Sequence, residues 1–257
     1  MSLRILVNVD PNPKPAWTKV TVGKTTRDEF QGEPQTGVIE PHRVGEWLKE
    51  NLERAEVHLN RYFGDSHPDE YTYAGRHFEW FVARGSNAPG FSPDHFFAVN
   101  ALSVNVPPSV IKNLFLKNSE SWQLHECCAI LHANSDIGLW NISEQHLAKF
   151  AELYDILRGE DGMGYVTTSK LLAARFPNIV PIRDSLVEVV LGLKNSVTWW
   201  DHIQRIVADQ TTRDVLSEIP IENSDAEVGV LRRLDVILWM EARARNQDLL
   251  AASEANE

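Results

Sequence analysis

From residue 92 to residue 246, apolar stretches with helical spacing follow one another, each headed by a residue type that starts helices. Ser92-Pro93-Asp94 heads FFAVNALSV, Pro107-Pro108 heads SVIKNLFL, and Ser119 heads SESWQLHECCAILHA. Ser143 heads SEQHLAKFAELYDILRG, Ser196 heads VTWWDHIQRIVADQ, and Ser224 or Asp225 heads AEVGVLRRLDVILWMEARAR. A serine or aspartate oxygen there accepts from backbone N–H groups that the first helical turn leaves unpaired, and a proline in that turn gives up a donor that had no partner. The pattern predicts a mainly α domain over 92–246, with the tail 247–257 frayed.

Upstream the reading changes. Residues 1–40 alternate short apolar pieces with proline, glycine and charge (PNPKPAW, VTVGKTTRDEFQGEPQTG), which predicts an irregular portion that includes one or two short strands. From Pro41, Val44, Trp47, Leu48, Leu52, Ala55, Leu59 and Phe63 recur at three- and four-residue steps, the spacing of one amphipathic helix. Residues 1–91 are therefore expected to form an irregular and helical extension packed on the helical domain.

Composition narrows the function classes. At 257 residues with 43% apolar content the chain can bury a sizeable core, and nowhere do apolar residues run long enough for a membrane span. The opening MSLRILVNVDPNPKP has one short apolar run and no cleavage-site pattern, so a cytoplasmic location is expected. Cys127 and Cys128 are neighbours and cannot join distant segments; they read as small apolar residues of a helix. The net charge of -11, with no basic region, argues against broad electrostatic capture of nucleic acid. No HExxH, Cys/His ligand spacing, P-loop or GxSxG motif is present, and no metal site is expected.

One stretch carries more than packing information: DGMGYVTTSKLLAARFPNIVPIRDSLVEVVLGL, Asp161 to Leu193. Gly162-Met163-Gly164 lies between two helical patterns. Such a turn lets backbone approach a ligand and points the free N–H groups of the following helix outward, as a phosphate requires, although a tight interhelical turn needing positive φ explains it too. Asp184 then opens SLVEVVLGL, where a carboxylate also serves as an ordinary N-cap.

The combination of hairpin, helix, turn and aspartate resembles the helix-hairpin-helix DNA glycosylases of the endonuclease III type, in which LPGVGRKTA is followed by VDTHVxRVxxRLGL. GMGYVTTSK and DSLVEVVLGL stand for those two motifs, and Asp184 lies twenty residues after Gly164, the family's own spacing. SPDHFFAVNALSVNVPPSVIKNLF is similar to the family's early helix pair, so the likeness covers about 92–193. The chain also looks like a family of uncharacterised bacterial proteins sharing T-x-SKLLA-x-R and LRRLD-x-x-LWM patterns, which carries no function with it.

The glycosylase resemblance implies a DNA repair hydrolase that extrudes a nucleotide and breaks its base–sugar bond, with Asp184 stabilising the sugar cation or orienting water. It implies a backbone-binding hairpin of Gly162, Met163, Gly164, Val166, Thr167 and Lys170, with Asn105 entering the DNA. Lys170, Arg175 and Arg183 would lend the hairpin a small positive field. No cofactor is implied beyond a monovalent cation at the hairpin. Departures matter as much. Val166 stands where bifunctional members carry the Schiff-base lysine, which removes lyase chemistry. Glu160-Asp161 replaces Leu-Pro and repels phosphate, Leu186 replaces a histidine, and the iron–sulfur cysteines are missing.

A base pocket needs flat aromatic walls and a few polar groups. YTYAGRHFEWF supplies Tyr73, His77 and Trp80, with Tyr71, Arg76 and Glu79 beside them, although packing against the core would use the same residues. LRRLDVILWMEARAR reads as an amphipathic helix whose arginines could touch phosphates, although a solvated charged face explains them too. Three functions stay open: a monofunctional DNA glycosylase, an inactive nucleic-acid or protein binding module, and a hydrolase of a nucleoside or other small glycoside.

Overall fold

The computed structural model describes residues 37–64, 73–88, 90–115, 122–132, 137–194, 196, 198–222, 224 and 226–254, with side chains described for all of these except 122–123 and 248–254. The strands foreseen within 1–36, and Tyr71, Ser119 and Asp225, lie outside them. The protein is mainly helical, with no strand among the described residues. Its α-helices are α1 (Val44–Glu50), α2 (Leu52–Phe63), α3 (Phe78–Gly85), α4 (Pro93–Ala101), α5 (Pro108–Phe115) and α6 (Trp122–His132). They continue with α7 (Glu144–Arg158), α8 (Tyr165–Arg175), α9 (Ser185–Val190), α10 (Trp199–Ala208), α11 (Gln210–Glu218) and α12 (Val230–Glu254).

Several helices begin where the sequence predicts. Ser92 caps α4 through a reciprocal box with His95, whose Nδ1 accepts the Ser92 N–H, and the Ser143 hydroxyl accepts from His146 N at the head of α7. Others differ. The helix expected from Pro41 to Phe63 breaks at Asn51, whose side-chain amide donates to the Trp47 carbonyl and whose φ of -122° leaves the helical range. Leu52, next to the break, is exposed although its spacing places it inside, whereas Ala55, Leu59 and Phe63 are buried as expected. The aromatic segment after residue 73 is a 3₁₀ turn leading into α3. Thr198, not Ser196, sits at the N-cap of α10, while the Ser196 hydroxyl bonds with the Thr198 hydroxyl and accepts the Thr198 N–H.

The helix assigned to AEVGVLRRL begins only at Val230, after an irregular approach. It continues to Glu254, through the segment predicted to fray. Helix α11 escapes the apolar periodicity because it is short and polar. Its start signal is Asp209, whose carboxylate accepts from the backbone N–H and hydroxyl of Thr212.

One hydrophobic core joins these elements and runs from Val44, Leu48, Ala55 and Leu59 through Leu171, Leu172, Val187 and Val190 to Leu234, Ile237 and Leu238. Helix α12 packs against α2 on one side and α9 on the other, while α4 lies between α3 and α8. Cys127 and Cys128 are free and fully buried in α6, and burial pushes their thiols up to about 11 and about 12, so neither is a nucleophile near neutral pH.

Candidate functional site

The turn between α7 and α8 is built as its glycines require. Gly162 has a φ of +82°, and a Cβ there would stand 2.8 Å from the Pro107 ring. Gly164, the N-cap of α8, has an ordinary φ of -72°, with nothing near enough to crowd a Cβ. No side-chain hydrogen bond caps α8, which leaves its leading N–H groups without that partner. Glycine is thus needed for backbone conformation at 162 and leaves open space at 164.

Other parts of the expected backbone grip turn inward. Met163 is 2% exposed and belongs to the core, while Val166 and Thr167 are half-buried. Of the three cations expected to form a positive field, Arg175 is buried and donates to the Ala88 carbonyl. Arg183 lies over the Tyr165 ring, pairs with Glu188 and donates to the Ser196 carbonyl. Lys170 is buried as well. Each ammonium or guanidinium is engaged inside the fold, because a charge taken from water must find a partner, and little of that field reaches solvent. Of the two acids in the hairpin, Glu160 accepts from Asn113 and Asp161 is exposed. Arg158 donates to the Met163 carbonyl. A guanidinium therefore stands on this carbonyl of the hairpin.

Asp184 is where the residues converge. Its Oδ1 accepts the Leu186 N–H as the N-cap of α9, and the Lys170 Nζ stands 3.7 Å from its Oδ2. The same Nζ donates to the Leu102 carbonyl at 3.0 Å, at the C-terminal end of α4. Ser169, next to Lys170, accepts the backbone N–H of Arg183 at 3.1 Å. Helix α8 thus holds both the lysine and, through Ser169, the segment that carries the aspartate. Asp184 caps a helix and also lines a cleft of about 370 Å³, at whose edge Ser103 adopts a φ of 61°.

The opposite wall comes from α12. Arg232, Asp235, Trp239 and Arg243 recur at three- and four-residue steps on one face and line the cleft together with Tyr62 and Tyr73. The Tyr62 and Tyr73 rings stack with centroids 5.1 Å apart, and both meet the Trp239 ring edge-on. Arg232 is buried and donates to Glu79 Oε1 and the Tyr62 hydroxyl at 2.8 Å each, to Asp235 Oδ2 at 2.5 Å and to the Gly75 carbonyl. Burial raises the Asp235 carboxyl, Arg232 opposes that and the charge of Asp184 adds to it; the result is about 6. The charged side chains that line the cleft are Lys170, Arg232 and Arg243 against Asp184 and Asp235; Glu79, behind Arg232, brings the cluster to balance, and the C-terminal end of α4 adds a partial negative charge.

Of the residues expected in a base pocket, Tyr73 lines this cleft; His77 and Trp80 are exposed on the α3 side and do not. Trp80 is covered by the Arg84 guanidinium at 4.8 Å and meets Phe81 edge-on. Asn105 is exposed and accepts from Asn100 at 2.7 Å, just beyond the cleft residue Ser103. Sequence reasoning missed Tyr62, Arg232, Asp235 and Arg243. The signal existed: within the α12 pattern, positions 232, 235, 239 and 243 form a polar and aromatic stripe beside the apolar one, and an Arg-x-x-Asp buried in a helix needs partners.

No group of three or more His, Cys, Asp and Glu able to hold a metal ion occurs among the described residues, and no described helix is long and apolar enough to cross a membrane. The fold and cleft define a mainly α protein with a pocket walled by aromatic rings and charged side chains. The chain belongs to the DUF6308 family, a family of unknown function, whose model matches residues 55–242. That span contains every residue named above as lining the cleft except Arg243, the residue just past its end. No curated protein and no solved structure matches the chain.

Proposed function

We propose that the cleft hydrolyses an N-glycosidic bond of a nucleoside unit, with Asp184 opposite the sugar. The observation that carries this reading is the meeting of Asp184 with Lys170, Asp235 and the Tyr62, Tyr73 and Trp239 rings in one pocket of about 370 Å³. That volume suits one base and its sugar. Flat rings offer a surface to a base, and the Asp184 carboxylate favours the cation that develops on the sugar as the bond breaks. In the reaction the base leaves with the C–N electron pair and gains a proton, while water adds to the sugar carbon and loses one. Asp184 Oδ2, which the Leu186 N–H does not hold and which Lys170 Nζ faces at 3.7 Å, is the oxygen that stabilises the cation or takes that proton.

The helix-hairpin-helix likeness favours a base presented from DNA, and the uncapped first turn of α8 supports a grip on phosphate. The inward turn of Lys170, Arg175 and Arg183 favours a second reading, a free nucleoside or nucleotide, which needs no extended basic surface. The test is release of free base from damaged or modified duplexes and from nucleosides, followed chromatographically. Asp184→Asn is expected to abolish release while costing about 1 kcal/mol of stability or less, since asparagine also caps helices. A wild-type protein inert on both substrate panels would leave the binding-module reading in its place.

A further inference from the structure

Arg243 is the outermost residue of the α12 stripe. It is exposed, it lines the cleft, and its guanidinium lies 4.9 Å from the Trp239 ring and 5.6 Å from the Tyr73 ring. No carboxylate pairs with it among the described residues, whereas the other cations of the cleft are engaged: Lys170 faces Asp184, and Arg232 is held by Glu79 and Asp235. A guanidinium held against ring faces loses little freedom when it binds, and its fork of N–H donors matches two oxygens of one anion. The cleft thus holds paired charges inside and, at Arg243, a cation with no carboxylate partner among the described residues.

We propose that Arg243 is a phosphate subsite, so that the cleft takes a phosphorylated nucleoside unit in preference to a bare nucleoside. The nucleoside part of that ligand rests on the glycosidic reading, while the phosphate part rests on Arg243 alone. The base and sugar enter between the aromatic walls toward Asp184, and the phosphate stays at the mouth, away from the carboxylates that would repel it. A free nucleotide and a polynucleotide both offer that phosphate.

Isothermal titration of the full chain with the common deoxynucleosides, their 5′-monophosphates, inorganic phosphate and a short single-stranded oligodeoxynucleotide tests this. The monophosphate is expected to bind about tenfold more tightly than its nucleoside, the worth of one charge-assisted contact. Arg243→Gln should remove that preference without changing the thermal melt, and Arg243→Lys should keep part of it. An oligonucleotide that binds more tightly than the monophosphate, with affinity falling steeply as salt rises, identifies the polymer as the source; equal or weaker binding identifies the free nucleotide. Equal affinity for nucleoside and monophosphate, a preference that survives Arg243→Gln, or no binding of any phosphate-bearing probe overturns the subsite. Phosphate-dependent binding without base release keeps the subsite and overturns the glycosidic reading; base release without phosphate preference does the reverse.

Discussion

Asp184 and Asp235 line one cleft in different environments. Asp184 is tied to a backbone N–H and faces a lysine, whereas Asp235 is buried beside Arg232, with a carboxyl raised to about 6. On the glycosidic reading proposed above, two carboxylates held apart in this way would divide the work, Asp184 facing the sugar and Asp235 able to carry a proton. If Asp235 supplies the proton that the leaving base needs, the rate falls as pH rises through about 6, because the protonated form is lost. A pH–rate profile checks this: Asp235→Asn should remove the alkaline limb, and a limb that persists in the variant assigns the proton elsewhere. Asp184 shows how much one residue discloses. Its distance from the glycines and its place at a helix start were legible, and it does cap α9. Lys170 was legible only as a cation near the hairpin, because its burial depends on where α4 ends, and α4 lies far away in the chain.

At the scale of elements, helix joints are made by buried polar residues that local pattern does not announce. Glu241 of α12 accepts from His58 at 2.9 Å and Arg54 at 2.6 Å, both on α2, and from Arg245 at 2.7 Å. Burial pushes its carboxyl up, but the hydrogen bonds of His58 and Arg245 and the charges of Arg245 and Arg54 overcome this and hold it at about 2, against an ordinary 4.5. A carboxylate depressed in the folded state contributes stability that is complete above pH 4.5 and is lost as pH falls toward 2. Urea denaturation at pH 6 and pH 3 should show the loss, and Glu241→Gln should reduce the difference between the two by at most about 2 kcal/mol. The α2–α12 contact was partly visible beforehand, since Ala55, Leu59 and Phe63 mark the buried face of α2. The break at Asn51 was not, because a side-chain bond to the Trp47 carbonyl competes with a helix that periodicity alone would continue.

At the scale of the molecule, Arg232 is the point on which separate parts of the chain close. It bonds to Tyr62 on α2, Gly75 ahead of α3, Glu79 on α3 and Asp235 on α12, and it lies 5.2 Å from the Tyr62 and Phe78 rings. Replacing it with a methionine of comparable length leaves two buried carboxylates without their cation, which costs about 3 to 5 kcal/mol. The check is the denaturation midpoint of Arg232→Met, with Arg232→Lys as a partial rescue; a midpoint shift worth less than about 1 kcal/mol would show that the cluster reorganises.

The mainly α class, several of the helix starts, the glycine turn ahead of α8 and the capping place of Asp184 were legible in the sequence, because caps, glycine conformation and apolar periodicity act over a few residues. Only the tertiary structure decided what surrounds that aspartate. The stacked tyrosines, the α12 stripe and the inward turn of Lys170, Arg175 and Arg183 depend on residues more than a hundred positions apart in places, and no local preference brings them together. Burial does, by requiring each charge taken from water to find a partner wherever the packed helices offer one.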